Sequence, residues 1–208
     1  MNSPLKQFKK LIIAPHIDDE VLGCGGILDE NTFVLHCGVE ERSYISKEGR
    51  IEELEAVRKF IGFKYKLLNN EVNHYNLRDF IQPFEQILNE VKPDMVFIPH
   101  PCYNQDHREV HRAALVALRP HDQIFFVKKV ISYEQPHVFF WDHNDHEPIN
   151  ITYFVPIDIE KKIKAYMLMK SQVRSFRSPE HIRAMAVLRG GQSNCSHAEG
   201  FEILRWIL

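Results

Sequence analysis

Residues 10–20 read KLIIAPHIDDE, so a short apolar run leads directly into a histidine and three acidic residues. The run Lys10–Ala14 predicts a strand that is buried on both faces and ends at Pro15. The residues that follow do not suit a core, because burying unpaired charge is costly. The stretch therefore predicts a buried strand whose carboxyl end opens onto a polar site. A solvated loop before a helix, whose dipole favours acids at its start, is the simpler alternative.

The same alternation of apolar strands and amphipathic helices continues along the chain. Strands that are apolar throughout and alternate with helices indicate an α/β fold with a covered parallel sheet. We therefore expect one domain over residues 1–208, with a doubly wound, mostly parallel, Rossmann-like sheet and helices on both faces. Further strands are expected at 32–37, 65–68, 95–99, 129–133 and 151–156. Helices are expected at 48–61, 77–91, 107–118, 159–173 and 178–188, with the glycines at 190 and 191 ending the last one.

The composition narrows the classes of function that the chain could serve. A formal net charge of -2 offers no basic field for nucleic acid. The apolar runs are far shorter than the roughly 20 residues of a membrane-spanning helix, and residues 1–10 show no signal-peptide pattern. Four cysteines without CxxC pairing predict reduced thiols and a cytoplasmic location. The oligomeric state stays open, and a homo-oligomer is among the alternatives.

A second polar stretch, residues 104–111 (NQDHREVH), follows the expected strand 95–99. In a doubly wound sheet, ligands bind outside the carboxyl ends of the strands, where the strand order reverses. If the first and fourth strands are neighbours there, His16, Asp19 and His107 converge. Two imidazoles and one carboxylate leave an open position, which is typical of catalytic rather than structural zinc. The spacing of His107 and His111 allows an alternative, a metal pair on one helix.

Asp18 lies one residue before the expected ligand Asp19. A carboxylate beside a metal can take a proton from water, so that the water attacks an amide carbonyl. The same acid can then return the proton to the departing amine. Capping of the following helix is the structural alternative for Asp18.

Several segments of the chain resemble a known family. The segment 14–26, APHIDDEVLGCGG, is similar to the opening motif of the LmbE/PIG-L family of zinc-dependent N-deacetylases. Weaker similarities follow in order at 50–53, 105–108, 133–136, 170–172 and 198–201. The resemblance implies that His16, Asp19 and His107 hold zinc, with iron(II) or another divalent ion as the alternative, and that Asp18 is the general base. The implied reaction is hydrolysis of the acetamide of an N-acetylated amino sugar, a small-molecule substrate.

The resemblance also implies residues that contact the substrate. Arg50 matches a position associated with substrate binding, and a surface arginine on a helix is the alternative. Many members carry a histidine at the position of Asn104, where it steadies the oxyanion. Asn104 can donate a hydrogen bond there but carries no charge, and His100, His111 or His181 could replace that histidine.

Two other groups of residues are expected to be structural. The glycine cluster at 23–26 lacks the GxGxxG spacing of nucleotide sites, which favours close packing of the first helix on the sheet. The chain has 12 histidines, and His137, His143 and His146 are expected to be plain surface residues.

Three rival functions remain at this stage. The first is a non-catalytic sugar-binding homologue, although such a protein need not keep both the ligands and the base. The second is a receiver-like module, which needs an aspartate at the end of the third strand, where the chain has Asn69 and Asn70. The third is an amidase that acts on a thiol conjugate or an antibiotic precursor.

Overall fold

A computed structural model describes residues 8–121, 125–137 and 148–208. In these ranges seven strands form one sheet in the order β3-β2-β1-β4-β5-β7-β6. The first five in that order run parallel, whereas β7 runs antiparallel to both of its neighbours. The sheet is therefore mixed but mostly parallel, and the predicted fold class is confirmed. The strands are β1 Lys10–Ala14, β2 Thr32–Gly38, β3 Lys64–Asn70, β4 Met95–Pro99, β5 Lys129–Tyr133, β6 Tyr153–Pro156 and β7 Ala198–Trp206.

Helices connect most of the parallel strands. Side chains cap several of them, as where Ser46 accepts a hydrogen bond from the backbone of Gly49. Across the described ranges, every helix is too short or too polar to span a lipid bilayer. The helices are α1 Asp19–Cys24, α2 Lys47–Ile61, α3 Leu77–Val91, α4 Gln105–Ala117, α5 Ile159–Met167 and α6 Pro179–Gln192, with 3-10 turns at Lys170–Gln172 and Ser175–Arg177.

The helices cover both faces of the sheet, because alternate residues of a strand point to opposite sides. Ile12 and Ala14 of β1 pack into a core with α1, α2, α5 and α6. Leu11 and Ile13 pack into the opposite core with α3 and α4. The glycine cluster serves this packing, as expected, since a Cβ on Gly23 would overlap the ring of Tyr133.

The last third of the chain departs from the sequence expectations. Helix α5 ends at Met167 rather than at 173, because the chain tightens into a 3-10 turn in which Ser171 bonds Glu53. Helix α6 continues through Gly190, which does not end it. That glycine is a packing requirement, since its Cβ would lie 2.6 Å from the carbonyl oxygen of Cys195. Strand β7 was not expected, and it inserts between β5 and β6.

Candidate active site

The site forms where β1 and β4 lie side by side at the centre of the sheet. The two strands are parallel, with Lys10 opposite Met95, so the segments that follow them leave the same edge. His16 lies in the loop after β1, and Asp19 is the first residue of α1. His107 lies in the first turn of α4, which follows β4. Strand order therefore places side chains together that are far apart in sequence.

Three of these side chains direct ligand atoms at one another. Nδ1 of His16 lies 3.3 Å from Oδ2 of Asp19, and Nε2 of His107 lies 3.4 Å from the same oxygen. Each of the three residues places a ligand atom within 4.8 Å of the other two. The structure thus brings together the three residues that the sequence predicts as metal ligands.

The residues present fit a divalent metal ion. Two ligand atoms about 2.1 Å from a tetrahedral zinc ion lie about 3.4 Å from each other, which matches the distances to Oδ2 of Asp19. Burial lowers the pKa of His16, but hydrogen bonds with Asp106 and Asp19 outweigh this and raise the pKa to about 9. A metal must displace the proton that this environment favours, so its affinity should fall as the pH is lowered.

The carboxylate of Asp19 is held from several sides. Its Oδ2 accepts a hydrogen bond from the backbone N–H of His16 at 2.8 Å, and its Oδ1 accepts one from Nε2 of Gln135 at 2.9 Å. Burial raises the pKa of Asp19, but His107 and His16 outweigh burial and hold the pKa well below its usual range. The group is therefore an anion suited to a cation.

Asp106 is a site residue that the sequence analysis missed. Its Oδ2 lies 2.9 Å from Nε2 of His16 and accepts the backbone N–H of Asn73 at 2.7 Å. A carboxylate in this position fixes the tautomer and the orientation of a metal-binding imidazole. The available signal was its place beside His107 in an expected site segment.

Asp18 stands at the N-cap position of α1, but its side chain makes no capping hydrogen bond. The helix-cap alternative is therefore wrong. Its φ of 143° is rare for a residue other than glycine, and backbone strain of this kind concentrates at functional sites. Oδ2 of Asp18 lies 3.1 Å from Nη2 of Arg177. Burial raises the pKa of Asp18, whereas the charge of Arg177 opposes that rise.

The expectation that the acids after β1 avoid the core is wrong for Glu20. The side chain is completely buried, and its Oε2 accepts the backbone N–H of Asp18 at 3.1 Å. Burial and the nearby charge of Asp18 raise the pKa of Glu20 to about 8. A glutamate that is mostly protonated at neutral pH avoids most of the cost of a buried charge.

A cavity of about 460 Å³ opens above these groups, a size typical of small-molecule sites. Its wall is mostly polar, and three exposed aromatic side chains, Tyr44, Tyr103 and Phe176, stand among the polar groups. The remaining lining residues are His16, Asp18, Asp19, Glu40, Arg42, Val72, Asn73, Asn104, His107, His137, Gln172, Arg174 and Arg177.

The two expected substrate contacts occupy different places. Asn104 lines the cavity and caps α4, since its Oδ1 accepts the backbone N–H of Asp106 at 2.9 Å. Its amide nitrogen is therefore left to donate. Arg50 is completely buried and does not line the cavity, and it donates hydrogen bonds to the carbonyl of Ile17 and to Glu53. The surface-arginine alternative is wrong.

The histidines divide differently from the expectation. His100, His111 and His181 do not line the cavity. Among the described residues His111 belongs to neither group of potential metal ligands, which argues against the helical metal pair. His137 lines the cavity and is 8% exposed, so the surface assignment is wrong for this residue. It lies four residues after β5, at the same edge of the sheet as the site.

His143 and His146 of the same expected surface group lie outside the described residues.

A comparison with protein-family models identifies the family of the chain. Residues 11–118 match the model of the PIG-L family, described as GlcNAc-PI de-N-acetylase, and this range covers just over half of the chain. The chain belongs to the PIG-L family. The range that matches the PIG-L model includes α1, β4 and α4, and so all three expected metal ligands. No curated protein sequence matches the chain.

Solved structures share the fold of this PIG-L chain at low sequence identity. The conserved protein TT1542 from Thermus thermophilus is 23% identical with a TM-score of 0.79, covering 97% of this chain and 96% of that one. The N,N'-diacetylchitobiose deacetylase from Pyrococcus horikoshii is 22% identical with a TM-score of 0.70, covering 97% and 86%. The 4-carboxy-2-hydroxymuconate hydratase GalB from Pseudomonas putida KT2440 is 19% identical with a TM-score of 0.77, covering 97% and 98%.

Proposed function

We propose that the chain is a metal-dependent N-deacetylase that hydrolyses the acetamide of an N-acetylated amino sugar or its conjugate. The observation that carries this proposal is the convergence of His16, Asp19 and His107 at one cavity. Beside them lies Asp18, whose backbone is strained and whose side chain does not cap α1. Membership of the PIG-L family supports the reaction class. The fold by itself does not, because a hydratase shares it.

In this proposal His16, Asp19 and His107 hold zinc or another divalent ion. A metal in such a site lowers the pKa of water and polarises a carbonyl oxygen. Asp18 takes one proton from the attacking water and later gives it to the nitrogen of the departing amine. The products are then acetate and the free amino sugar, so the amide bond and one water are consumed.

The developing negative charge on the carbonyl oxygen also needs a hydrogen-bond donor. Asn104 is the proposed donor, because its oxygen caps α4 and its amide N–H groups are left for the cavity that it lines. Arg177 would hold Asp18 in place through the contact of 3.1 Å.

Arg50 is proposed to hold the loop that carries Asp18 in place and not to touch the substrate itself. Its guanidinium bonds the carbonyl of Ile17, the residue directly before Asp18, and is itself held by Glu53 and Ser171. These contacts support a role in keeping the backbone of the loop in its unusual conformation.

The wall of the cavity supports a sugar as the substrate class. Tyr44, Tyr103 and Phe176 are 57%, 44% and 50% exposed, and their rings offer apolar faces among polar groups. A sugar ring presents hydroxyl groups and apolar C–H faces, so it matches such a wall.

All four cysteines are free, which supports the proposed reducing, cytoplasmic location.

The test is a screen of the zinc-loaded protein against N-acetylhexosamine conjugates with neutral, phosphate and lipid substituents. Mass spectrometry should detect loss of one acetyl group together with free acetate. An Asp18→Asn variant should retain zinc and lose this product. An acetylated thiol conjugate and an unsaturated carboxylate form the rival arms, and turnover of either one without turnover of any amino sugar would refute the proposal.

A further inference from the structure

A second group of side chains that could hold a metal ion lies beside the first. Cys102, His137 and His107 each place a ligand atom within 4.8 Å of the other two. Sγ of Cys102 lies 3.7 Å from Nε2 of His137. All three side chains are buried, with exposures of 0%, 8% and 1% in that order. The proposed deacetylase chemistry uses neither Cys102 nor His137.

The two nitrogens of His107 have unequal surroundings. Nε2 faces Asp19 at 3.4 Å, as a ligand of the first position would. Nδ1 is fully buried and makes no hydrogen bond of normal geometry among the described residues, while the thiol of Cys102 interacts with this ring. A histidine that binds a metal through one nitrogen nearly always bonds a carboxylate, a carbonyl or water through the other. His16 obeys this rule through Asp106, whereas Nδ1 of His107 does not.

The chemistry of the second group suits a thiophilic ion. A thiolate at about 2.3 Å and an imidazole nitrogen at about 2.1 Å from a tetrahedral ion lie roughly 3.6 Å apart, close to the separation of Cys102 and His137. Thiolate with imidazole favours zinc or cobalt over magnesium or calcium. The group also lies next to the cavity, since His137 and His107 both line it.

We propose that Cys102, His137 and Nδ1 of His107 form a second position for a thiophilic divalent cation, so that His107 is shared between two ions. Binding there releases the thiol proton of Cys102 and, when both positions are filled, the remaining ring proton of His107. With both of its nitrogens bound, the ring of His107 would serve both positions as an imidazolate. This position goes beyond the deacetylase proposal and stands on donors that the proposal leaves unused.

Cobalt(II) titration of the metal-free protein, with a phosphine reductant in place of a thiol, tests this position directly. A cobalt ion with a thiolate ligand shows a near-ultraviolet charge-transfer band, whereas an ion held by His16, Asp19 and His107 does not. The wild-type protein should bind two equivalents and develop this band. Saturation at one equivalent without the band would overturn the proposal and would leave Cys102 as a neighbour of a single metal.

Variants assign the band to its ligands. Cys102→Ser should abolish the band and remove one equivalent, while Cys24→Ser and Cys195→Ser should leave both unchanged. His137→Gln removes a second ligand of the same position, so it should weaken the band. If circular dichroism shows that Cys102→Ser does not fold, His137→Gln serves as the test in its place. A band that survives in folded Cys102→Ser or is unaffected in His137→Gln would contradict the assignment.

One further variant separates the second position from the proposed deacetylase site. His16→Asn removes a ligand of the first position only. It should therefore lose one equivalent and keep the charge-transfer band. If His16→Asn keeps both equivalents while Cys102→Ser loses one equivalent and the band, the assignment of the first position fails. If His16→Asn loses one equivalent while Cys102→Ser changes neither the stoichiometry nor the band, the assignment of the second position fails.

Discussion

The two halves of the chain contribute differently to the site. In residues 8–121 the candidate ligands and the base follow directly from β1 and β4, the two central parallel strands. In residues 125–137 and 148–208 the contributions come from the segment after β5 and from the region of two 3-10 turns. The first half supplies His16, Asp18, Asp19, Asn104 and His107, and the second supplies Gln135, His137, Gln172, Arg174, Phe176 and Arg177.

This difference separates reactivity from environment. The groups that would hold the first metal or move a proton come from the segments after β1 and β4, whose relative register the sheet fixes. Groups from the second half surround them, since Arg177 contacts Asp18 and Gln135 bonds Asp19. The exceptions are Asp106 of the first half, which supports His16, and His137 of the second half, which is the proposed ligand of the second position. The predictions that follow test this division, beginning with the largest expected effect.

The strongest test removes a proposed ligand from the first half. In a Cys102→Ser background, where only the first position counts, His16→Ala, Asp19→Ala and His107→Ala should each lower zinc affinity by more than about 10²-fold. Changes to groups that only support a ligand already cost about 10–100-fold. Metal affinity measured by competition with a chelator checks this. His181→Ala, an exposed change outside the cavity, is the control, and equal affinities in all four proteins would break the division.

A second test separates the base from the ligand beside it. Asp18→Asn should keep zinc, because asparagine tolerates positive φ and has the same shape. It should lose about 10²–10⁴-fold in turnover, the usual contribution of a positioned proton acceptor. Because its pKa is raised, Asp18 should produce a fall in rate as the pH drops through a range above that of an ordinary aspartate. Near-normal turnover in this variant would place the base elsewhere.

A third test concerns the support of His16. Asp106→Asn removes the negative charge that supports His16 and should lower zinc affinity by about 10–100-fold. An amide oxygen in the place of Oδ2 can still accept the backbone N–H of Asn73 and Nε2–H of His16, which keeps both contacts. The unfolding temperature of the metal-free variant should therefore stay close to that of the metal-free wild type, while the zinc affinity falls. A loss confined to stability would make Asp106 a structural residue only.

The smallest expected effect comes from the second half. The positive charge of Arg177 lowers the pKa of Asp18, so Arg177→Gln should raise it. The acid limb of the rate profile should then move to higher pH, while the rate well above the limb changes little. Arg177→Lys should keep part of the charge and shift the limb less. A limb that stays in place in both variants would show that Arg177 does not act through Asp18.

The sequence by itself determined the fold class and the residues of the first motif. Apolar strands alternating with helices specify a covered parallel sheet, and acids with a histidine at a strand end specify a polar edge there. His16, Asp18, Asp19 and His107 could be named because each follows directly from a strand that the pattern reveals. Local pattern was sufficient to single these residues out, whereas their convergence depends on β1 and β4 being neighbours in the sheet.

Tertiary structure decided the rest, because the remaining contacts join segments with no common local pattern. Asp106 meets His16 across 90 residues, and Gln135 meets Asp19 across 116. Nothing in the sequence around His137 distinguishes a buried cavity residue from a surface histidine, since its burial depends on packing near Cys102 and His107. Long-range packing likewise allowed Glu20 to be buried, because the surrounding protein, rather than the residue itself, sets its pKa.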